Sequence, residues 1–385
     1  MKSFNSIELS KGIAIICILL SNTINYWMYS YEYSYLFSVL ITLLEIFGSS
    51  LLIFILSFSV IFTLKKKMGC FPDRENRNKL FKQSLLLILL GIAYNLIFNY
   101  VEHNSFVVWG WNILIFVGIG QFICYYTFKL ARWSRIVIGL IIILITPYIR
   151  EFLFIWKESN MVVYILHFIL VSSTPIFPLL PFASLWFFST IFSELIYDAL
   201  ILESDKATLE STYSSIKYAF IFIIVSFIYS TIQFLPFVEP FSYNPMKYPF
   251  TDSLPILRGT TITYIPGIPE ALIKGTIQNI FFMIGISLLI IGLSFYFIQI
   301  KKKETRISKI LIIFGRSAIT LLFFQWLFLP LFNQLLIYYI YIPISLTYFL
   351  MIGFLIYLWE KKIEMKYNIE WLIRKISRKS ADEVI

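Results

Sequence analysis

Apolar runs of about 20 residues recur from one end of this chain to the other, and few folds accommodate them. A run of that length, coiled as a helix, matches the hydrocarbon thickness of a bilayer. Inside hydrocarbon every backbone N–H and C=O needs an internal partner, which leaves helices or a closed barrel. A barrel strand needs only about ten alternating residues, whereas these runs are continuous. The chain therefore reads as an all-α, polytopic membrane protein. Its 385 residues are 59% hydrophobic and 14% charged, against roughly 45–50% and 25% in soluble domains. That excludes a soluble enzyme, a disordered chain and a disulfide scaffold. The net charge of +10 reads as basic loops on one side of a bilayer, not as a nucleic-acid surface. Cys17, Cys70 and Cys124 form no CxxC pair, so neither a disulfide nor a metal site is expected. The first run begins near Ile7 and has no small-residue cleavage site after it, which predicts a retained helix.

About ten transmembrane helices are expected, over 8–28, 35–64, 80–99, 109–129, 134–149, 178–198, 216–236, 276–299, 308–329 and 333–358. An eleventh apolar stretch, 160–175, is short for a span. Charge decides its fate. Basic clusters lie at Lys65–Lys82, Lys129–Arg135, Lys301–Lys309 and Lys361–Lys379, and all should be cytoplasmic. Between Arg135 and Lys301 the chain must then cross an even number of times, so 160–175 is a re-entrant or interfacial helix and both termini are cytoplasmic. Of the 32 Lys+Arg, only Arg150, Lys157, Lys247, Arg258 and Lys274 then fall outside, with Arg316 inside a helix. The division is a transmembrane domain over 1–359, with an outer loop at 237–275, and a basic tail over 360–385. The loop and Pro236 hold half of the 14 prolines and many aromatics, which predicts an ordered cap. In the tail, Ile369, Leu372, Ile373 and Ile376 share one helical face, which suits an anchor on anionic lipid.

Polar groups inside spans default to functional candidates. They are Asn22, Asn25, Glu45, Asn95, Asn112, Gln121, Glu194, Gln278, Asn279, Arg316 and Gln325. Gln278 and Asn279 lie close enough to a helix end to be solvated at the interface. Asn22 and Glu45 lie at depths of about 9 and 15 Å on antiparallel neighbours, counted at 1.5 Å per residue, a placement that allows them to meet in the outer half of the membrane. The bland alternative is a helix–helix hydrogen bond. Arg316 either snorkels to the interface or binds phosphates by bidentate hydrogen bonds. The two histidines, His103 and His167, are within reach of an outer site. No phosphate-binding loop, nucleophile elbow or metal-ligand spacing occurs.

Several segments resemble a known family. SIELSKGIAIICILLSNTINYW (6–27) carries an acidic residue, a basic residue, Gly, an apolar helix and Asn near its end. LEIFGSSLLIFILSFSVIF (44–62), KLFKQSLLLILLGIAYNLI (79–97), FPLLPFASLWFFSTIFSEL (177–195) and FGRSAITLLFFQWL (314–327) follow in order. Together they resemble the heparan-alpha-glucosaminide N-acetyltransferase-like membrane proteins, which look like cousins of the acyltransferase-3 group. The resemblance implies acyl transfer from cytoplasmic acetyl-CoA or another acyl-CoA to a sugar on the far side of the membrane, with no metal. It carries Asn22 and Glu45 onto the family's asparagine and acidic residue, and Lys11 onto its basic residue. Two departures stand out. The family's active-site histidine is absent from MYSYEYSY (28–35), and Gln325 replaces the histidine of the ninth-helix motif.

The expected function is therefore a multi-pass acyltransferase of the cell membrane, modifying an amine or hydroxyl of an envelope glycan or glycolipid. Glu45 is the first candidate base, because a carboxyl removed from water keeps its proton toward neutral pH. Asn22 orients the acceptor or the thioester carbonyl. His103, His167 and a desolvated Glu32 are substitutes, and Arg316 and Lys11 are the donor-binding cations. Membrane lipids and the acceptor are the expected partners, no nucleic acid is, and homo-oligomerisation is left open. The rival reading is a non-catalytic relative, a transporter or binding subunit, given the missing histidine.

Overall fold

The computed structural model describes residues 4–29, 35–67, 73–102, 110–172, 178–202, 204–232, 270–332, 334–363 and 366–379. The helices, in chain order, are α1 (Asn5–Trp27), α2 (Tyr35–Lys67), α3 (Asp73–Glu102), α4 (Ile113–Thr127), α5 (Arg132–Trp156), α6 (Met161–Leu170), α7 (Leu179–Phe182), α8 (Ser184–Ile201), α9 (Asp205–Ile232), α10 (Ile277–Phe295), α11 (Arg306–Arg316), α12 (Ala318–Phe328), α13 (Tyr338–Ile363) and α14 (Ile369–Lys379). Among the described residues no strand forms. Eight helices are long and apolar enough to cross a membrane, or nine if the bent pair α11–α12 is one span. The remaining expected span is α4, of 15 residues. The Pro-rich 237–269 stretch and His103 lie outside the described residues.

The chain divides into two compact units. One holds α1, α2 as far as Leu52, and the chain from Ile290 on; the other holds Ile53–Ser253 and Ile265–Leu289, so that the boundary falls within α2 and within α10.

In the first unit α1 crosses α11 backbone against backbone. A Cβ on Gly12 would lie 1.9 Å from the Leu311 carbonyl oxygen, and one on Gly315 would lie 1.8 Å from the carbonyl oxygen of Glu8. Only hydrogen fits at either place. Small residues of this kind let helices approach where hydrocarbon gives no hydrophobic drive between them. Leu9, Ile298 and Ile312 close the packing around the crossing. At its other end α1 is clamped by chain: Leu336 donates its N–H to the Trp27 carbonyl at 2.9 Å, and Gln334 donates to that of Tyr26 at 2.7 Å. The expected continuous helix over 308–329 is in fact two. It bends by 71° at Ser317, whose φ of −117° and ψ of 23° are not helical.

In the second unit a hairpin of α3 and α4 is set by two asparagines. Asn112 caps α4, accepting from the N–H groups of Leu114 and Ile115 at 2.9 Å, and donates to Asn95 Oδ1 at 2.6 Å. Asn95 donates to the Gly110 carbonyl at 2.8 Å. These intramembrane asparagines spend their hydrogen bonds on backbone and each other. Gln278 and Asn279 are also buried, contrary to the expectation of interfacial solvation. Asn279 donates to the Ala271 carbonyl at 2.8 Å and accepts from Gly275 N–H at 3.3 Å, which fixes the turn into α10. Gly275 sits there at φ 81°, a conformation that favours glycine.

The ends of α2, α5 and α8 meet in a charge cluster. Arg132 lies 3.1 Å from Glu194 and 2.7 Å from Asp198. Lys65 pairs with both carboxylates, and Arg135 pairs with Glu194. Glu194, a functional candidate from its depth in the sequence, is thus held by three cations. Removing one partner from such a set strands buried charge. The cluster joins the start of α5 to the end of α8, so the chain returns to its starting level between them. The 10 residues of α6 rise only about 15 Å, half of a bilayer core, and α6 turns back on α5, with His167 against Phe154 at 6.0 Å. That placement agrees with 160–175 as a segment that does not span.

Two outcomes follow. In a background lacking Cys17, Cys70 and Cys124, single cysteines at Ser159 and Ser204 label from opposite faces of sealed vesicles; labelling from one face sinks the topology. Gly315→Ala lowers the melting temperature of detergent-purified protein, because a methyl facing backbone cannot be relieved by a rotamer change, at a cost of about 1–3 kcal/mol or more. An unchanged melting temperature would show that the crossing relaxes.

Candidate active site

The first unit carries most of the residues singled out from sequence. Along α1, Lys11 and Asn22 are 11 residues apart, about three turns, so they share a face and lie about 17 Å apart along the axis. Asn25 is one turn further on. Asn22 donates from Nδ2 to Gln325 Oε1 at 3.1 Å. Gln325 in turn donates to the Leu19 carbonyl at 3.0 Å and is only 1% exposed. Glu45 accepts a short hydrogen bond from Asn25 Nδ2. The side-chain hydrogen bond to Glu45 comes from Asn25 and that of Asn22 goes to Gln325. Glu45 takes the amide one turn beyond, because the register of α2 on α1 is set where Gly48 packs on Ala14 and Ile18. Asn22, Asn25 and Glu45 are each half-buried, so the four polar side chains form a partly accessible patch on α1, α2 and α12.

The cationic end of the unit is built at the glycine crossing. A Cβ on Gly315 would be 3.0 Å from Gly12 N, so the residues that follow and precede these glycines, Arg316 and Lys11, attach at neighbouring backbone positions. Lys11 Nζ lies 3.3 Å from Glu8 Oε1, and Arg316 lies 2.9 Å from Glu360 in the last turns of α13. Arg316 is half-exposed, as a donor-binding cation would need to be. Glu360 was assigned from sequence to the tail, yet α13 continues to Ile363.

One residue here was not singled out from sequence. Bending at Ser317 leaves the first N–H groups of α12 without helical partners. Glu370 of the tail helix α14 supplies them: its Oε1 accepts from Ile319 N at 2.6 Å and Thr320 N at 3.3 Å, and the Thr320 hydroxyl binds Oε2. Ile369 N donates back to Thr320 Oγ1 at 2.9 Å. The tail is thus docked by a helix cap as well as by its apolar face, on which Ile373 is buried. Burial holds the Glu370 proton above the usual carboxylate range, against the pull of the Thr320 hydroxyl and the two N–H groups. A Ser/Thr/Asp-type cap would have been sought just before α12; this one comes from about 50 residues downstream.

His167 belongs to the second unit, on α6. Burial, then the charges of Lys157 and Arg150, hold its pKa below the ordinary histidine range. Of the 28–35 stretch, 30–34 lies outside the described residues, Glu32 included. Among the described residues no group of three His, Cys, Asp or Glu side chains is placed to hold a metal.

The model of the heparan-alpha-glucosaminide N-acetyltransferase catalytic family matches residues 4–231, more than half of the chain. The chain belongs to this family. No curated protein and no solved structure matches it significantly. The matched region includes Lys11, Asn22 and Glu45 and stops before Arg316 and Gln325, which join the site through the fold of the first unit.

Glu370 has a measurable signature. Its folded pKa is raised above its unfolded value, about 4.3, so its contribution to stability is complete below that value and is lost as pH rises through the folded pKa. Melting temperatures of wild type should fall over that window, and Glu370→Gln, which keeps an acceptor oxygen, should remove the fall. Superimposable pH profiles would show that the carboxyl is as well solvated folded as unfolded.

Proposed function

We propose that this protein is a multi-pass acyltransferase of the cell membrane, transferring an acyl group from cytoplasmic acyl-CoA, acetyl-CoA first, to an extracytoplasmic sugar amine or hydroxyl of an envelope glycan or glycolipid. The family supports acetyltransferase-type chemistry. The observation that carries the residue assignment is the spacing on α1. Lys11 lies about 17 Å along α1 from Asn22, a reach suited to an extended pantetheine arm, and Arg316 attaches beside it at the glycine crossing. In this reading both termini are cytoplasmic, Arg316 and Lys11 hold the donor phosphates, and the thioester lies at the patch. Glu45 takes the proton from the acceptor as its nitrogen or oxygen attacks the thioester carbonyl, and returns it to the CoA sulfur as the C–S bond breaks and free CoA leaves. Asn25 orients the Glu45 carboxylate through their hydrogen bond, and the Asn22 amide donates to the carbonyl oxygen as negative charge develops there.

A second reading has its own support. Gln325 stands where the family motif carries histidine, and both its oxygen and its amide are already bonded, to Asn22 and Leu19. It does not titrate. A non-catalytic relative that binds acyl-CoA without transfer would look the same at this position.

Isothermal titration with acetyl-CoA, run beside acyl transfer to glycan amines and hydroxyls, separates the two. Glu45→Gln should abolish transfer, about 100-fold or more for a lost general base, with acetyl-CoA affinity nearly unchanged. Arg316→Ala should weaken binding more than Arg316→Lys, and Glu360→Gln should tighten it by releasing Arg316. Wild type that binds but never turns over leaves the non-catalytic reading. Equal affinities in wild type and both Arg316 variants remove Arg316 from the donor site. Transfer that survives in Glu45→Gln but not in His167→Ala or His103→Ala moves the base to that histidine.

A further inference from the structure

At the end of the first unit where α10 gives way to α11, apolar and basic side chains stand exposed together. Past α10 the chain makes a π-helical turn over Tyr296–Ile300. It is closed by the Lys301 N–H on the Tyr296 carbonyl at 2.9 Å and the Lys303 N–H on that of Phe297 at 3.1 Å. Lys302 takes the left-handed conformation there, at φ 50°. Glycine is the usual occupant of such a helix-ending position, and a residue with a Cβ holds it at a cost, so the turn itself gives no reason for a lysine. Lys301, Lys302, Lys303, Arg306 and Lys309 are all exposed. Glu304, the one carboxylate within 301–309, accepts from Asn5 Nδ2 at 2.8 Å. Among these cations Ile307 and Ile310, one turn apart on α11, are 70% and 54% exposed. Water disfavours that placement; an interfacial helix adopts it, its apolar side chains in lipid and its charged heads snorkelling to the headgroups. The tail presents the same combination. On α14, Leu372 and Ile376 are 47% and 43% exposed, whereas Ile373 is buried. The rings of Tyr367 and Trp371 stand 5.1 Å apart, with Lys375 Nζ 4.6 Å from the Trp371 ring. Tyr and Trp favour headgroup depth.

We propose that this end of the first unit is a binding surface for anionic phospholipid. The headgroup phosphates meet the cations of 301–309 and Lys375, and Ile307, Ile310, Leu372 and Ile376 enter the acyl boundary of the same leaflet. One leaflet serves both arms, because α11–α12 leaves this side of the membrane and α13 returns to it. Charge complementarity selects the occupant: a zwitterionic headgroup brings no net charge to these cations, and a soluble phosphate would leave the four apolar side chains in water. The general bias of basic loops toward one side asks for neither exposed isoleucines among the cations nor a lysine in left-handed backbone. The surface does not depend on the transferase reading.

The test places the full-length protein in phosphatidylcholine nanodiscs with a trace of one of two probes, phosphatidylglycerol or phosphatidylcholine, each carrying the same diazirine acyl chain. After photolysis, adducts are mapped by peptide mass spectrometry. The ratio of the two probes at each peptide reads headgroup preference apart from plain contact with lipid. At 296–310 and 367–379 the phosphatidylglycerol to phosphatidylcholine ratio should be several-fold above that on α9, whose exposed Ile224 and Ile228 report plain contact, and it should fall as salt rises. Lys302→Gly should lower the ratio at 296–310 about five-fold, the worth of one cation beside an anionic surface, without lowering the melting temperature, since φ 50° suits glycine. Lys301→Gln, Lys303→Gln, Arg306→Gln and Lys309→Gln combined should bring it to the level of α9. Ratios no greater than that of α9, or ratios unchanged in both variants, overturn the surface. So does the absence of labelling by either probe at both segments, which would show them covered by protein. Loss of the preference to millimolar inorganic phosphate at constant ionic strength would make the site one for free phosphate and overturn the lipid assignment.

Discussion

The contact between Gly12 and Gly315 is the constraint on which the first unit depends. Helices in hydrocarbon gain little from burying apolar side chains against each other, so close association must come from backbone approach and polar contacts. With only hydrogen at both positions, α1 and α11 come near enough for the carbonyl of Glu8 to meet Gly315 and that of Leu311 to meet Gly12. Lys11 and Arg316, which flank those glycines, thus attach at neighbouring main-chain positions, Lys11 paired with Glu8 and Arg316 with Glu360. Two motifs some 300 residues apart in the sequence are in this sense one structural element.

The bend that follows Gly315 has a cost that is met locally. A continuous helix would satisfy its own N–H groups; a broken one exposes up to four. Glu370 meets two of them, at Ile319 and Thr320, and so couples the tail to the middle of the unit. Charge within the second unit is handled differently, by pooling three cations and two carboxylates at the ends of α2, α5 and α8. Both devices leave the carboxylates with partners at helix ends, Glu370 with backbone N–H groups and Glu194 and Asp198 with cations. The Asn22, Asn25, Glu45 and Gln325 patch stands apart from them. It lies deeper along α1, and three of its four members are half-buried.

Much of this was legible in the amino-acid order. Each expected span corresponds to a helix or to a successive pair, α7–α8 and the bent α11–α12, because backbone satisfaction in an apolar solvent admits few alternatives. The short 160–175 segment was separated from the spans by counting basic loops, and the meeting of Arg132 and Arg135 with Glu194 agrees with that count. The family was legible as a resemblance, carried by Glu8, Lys11, Gly12 and Asn22 in the first segment and by the order of the segments that follow it.

What sequence could not supply is partner choice. Asn22 and Asn25 are the same residue type one turn apart, and hydropathy does not say which of them meets Glu45; the packing of Gly48 on α1 decides it. Arg316 gave no sign that its partner is Glu360, nor Glu370 that it caps a helix some 50 residues upstream, since a cap from a distant segment leaves no local signature. By itself the sequence determined the helical class, the order of the helices and the residue types available for chemistry, because these follow from local periodicity and the demands of the solvent. The tertiary structure decided which polar groups are spent on the fold and which remain partly open, because that depends on helix register and on where a helix breaks.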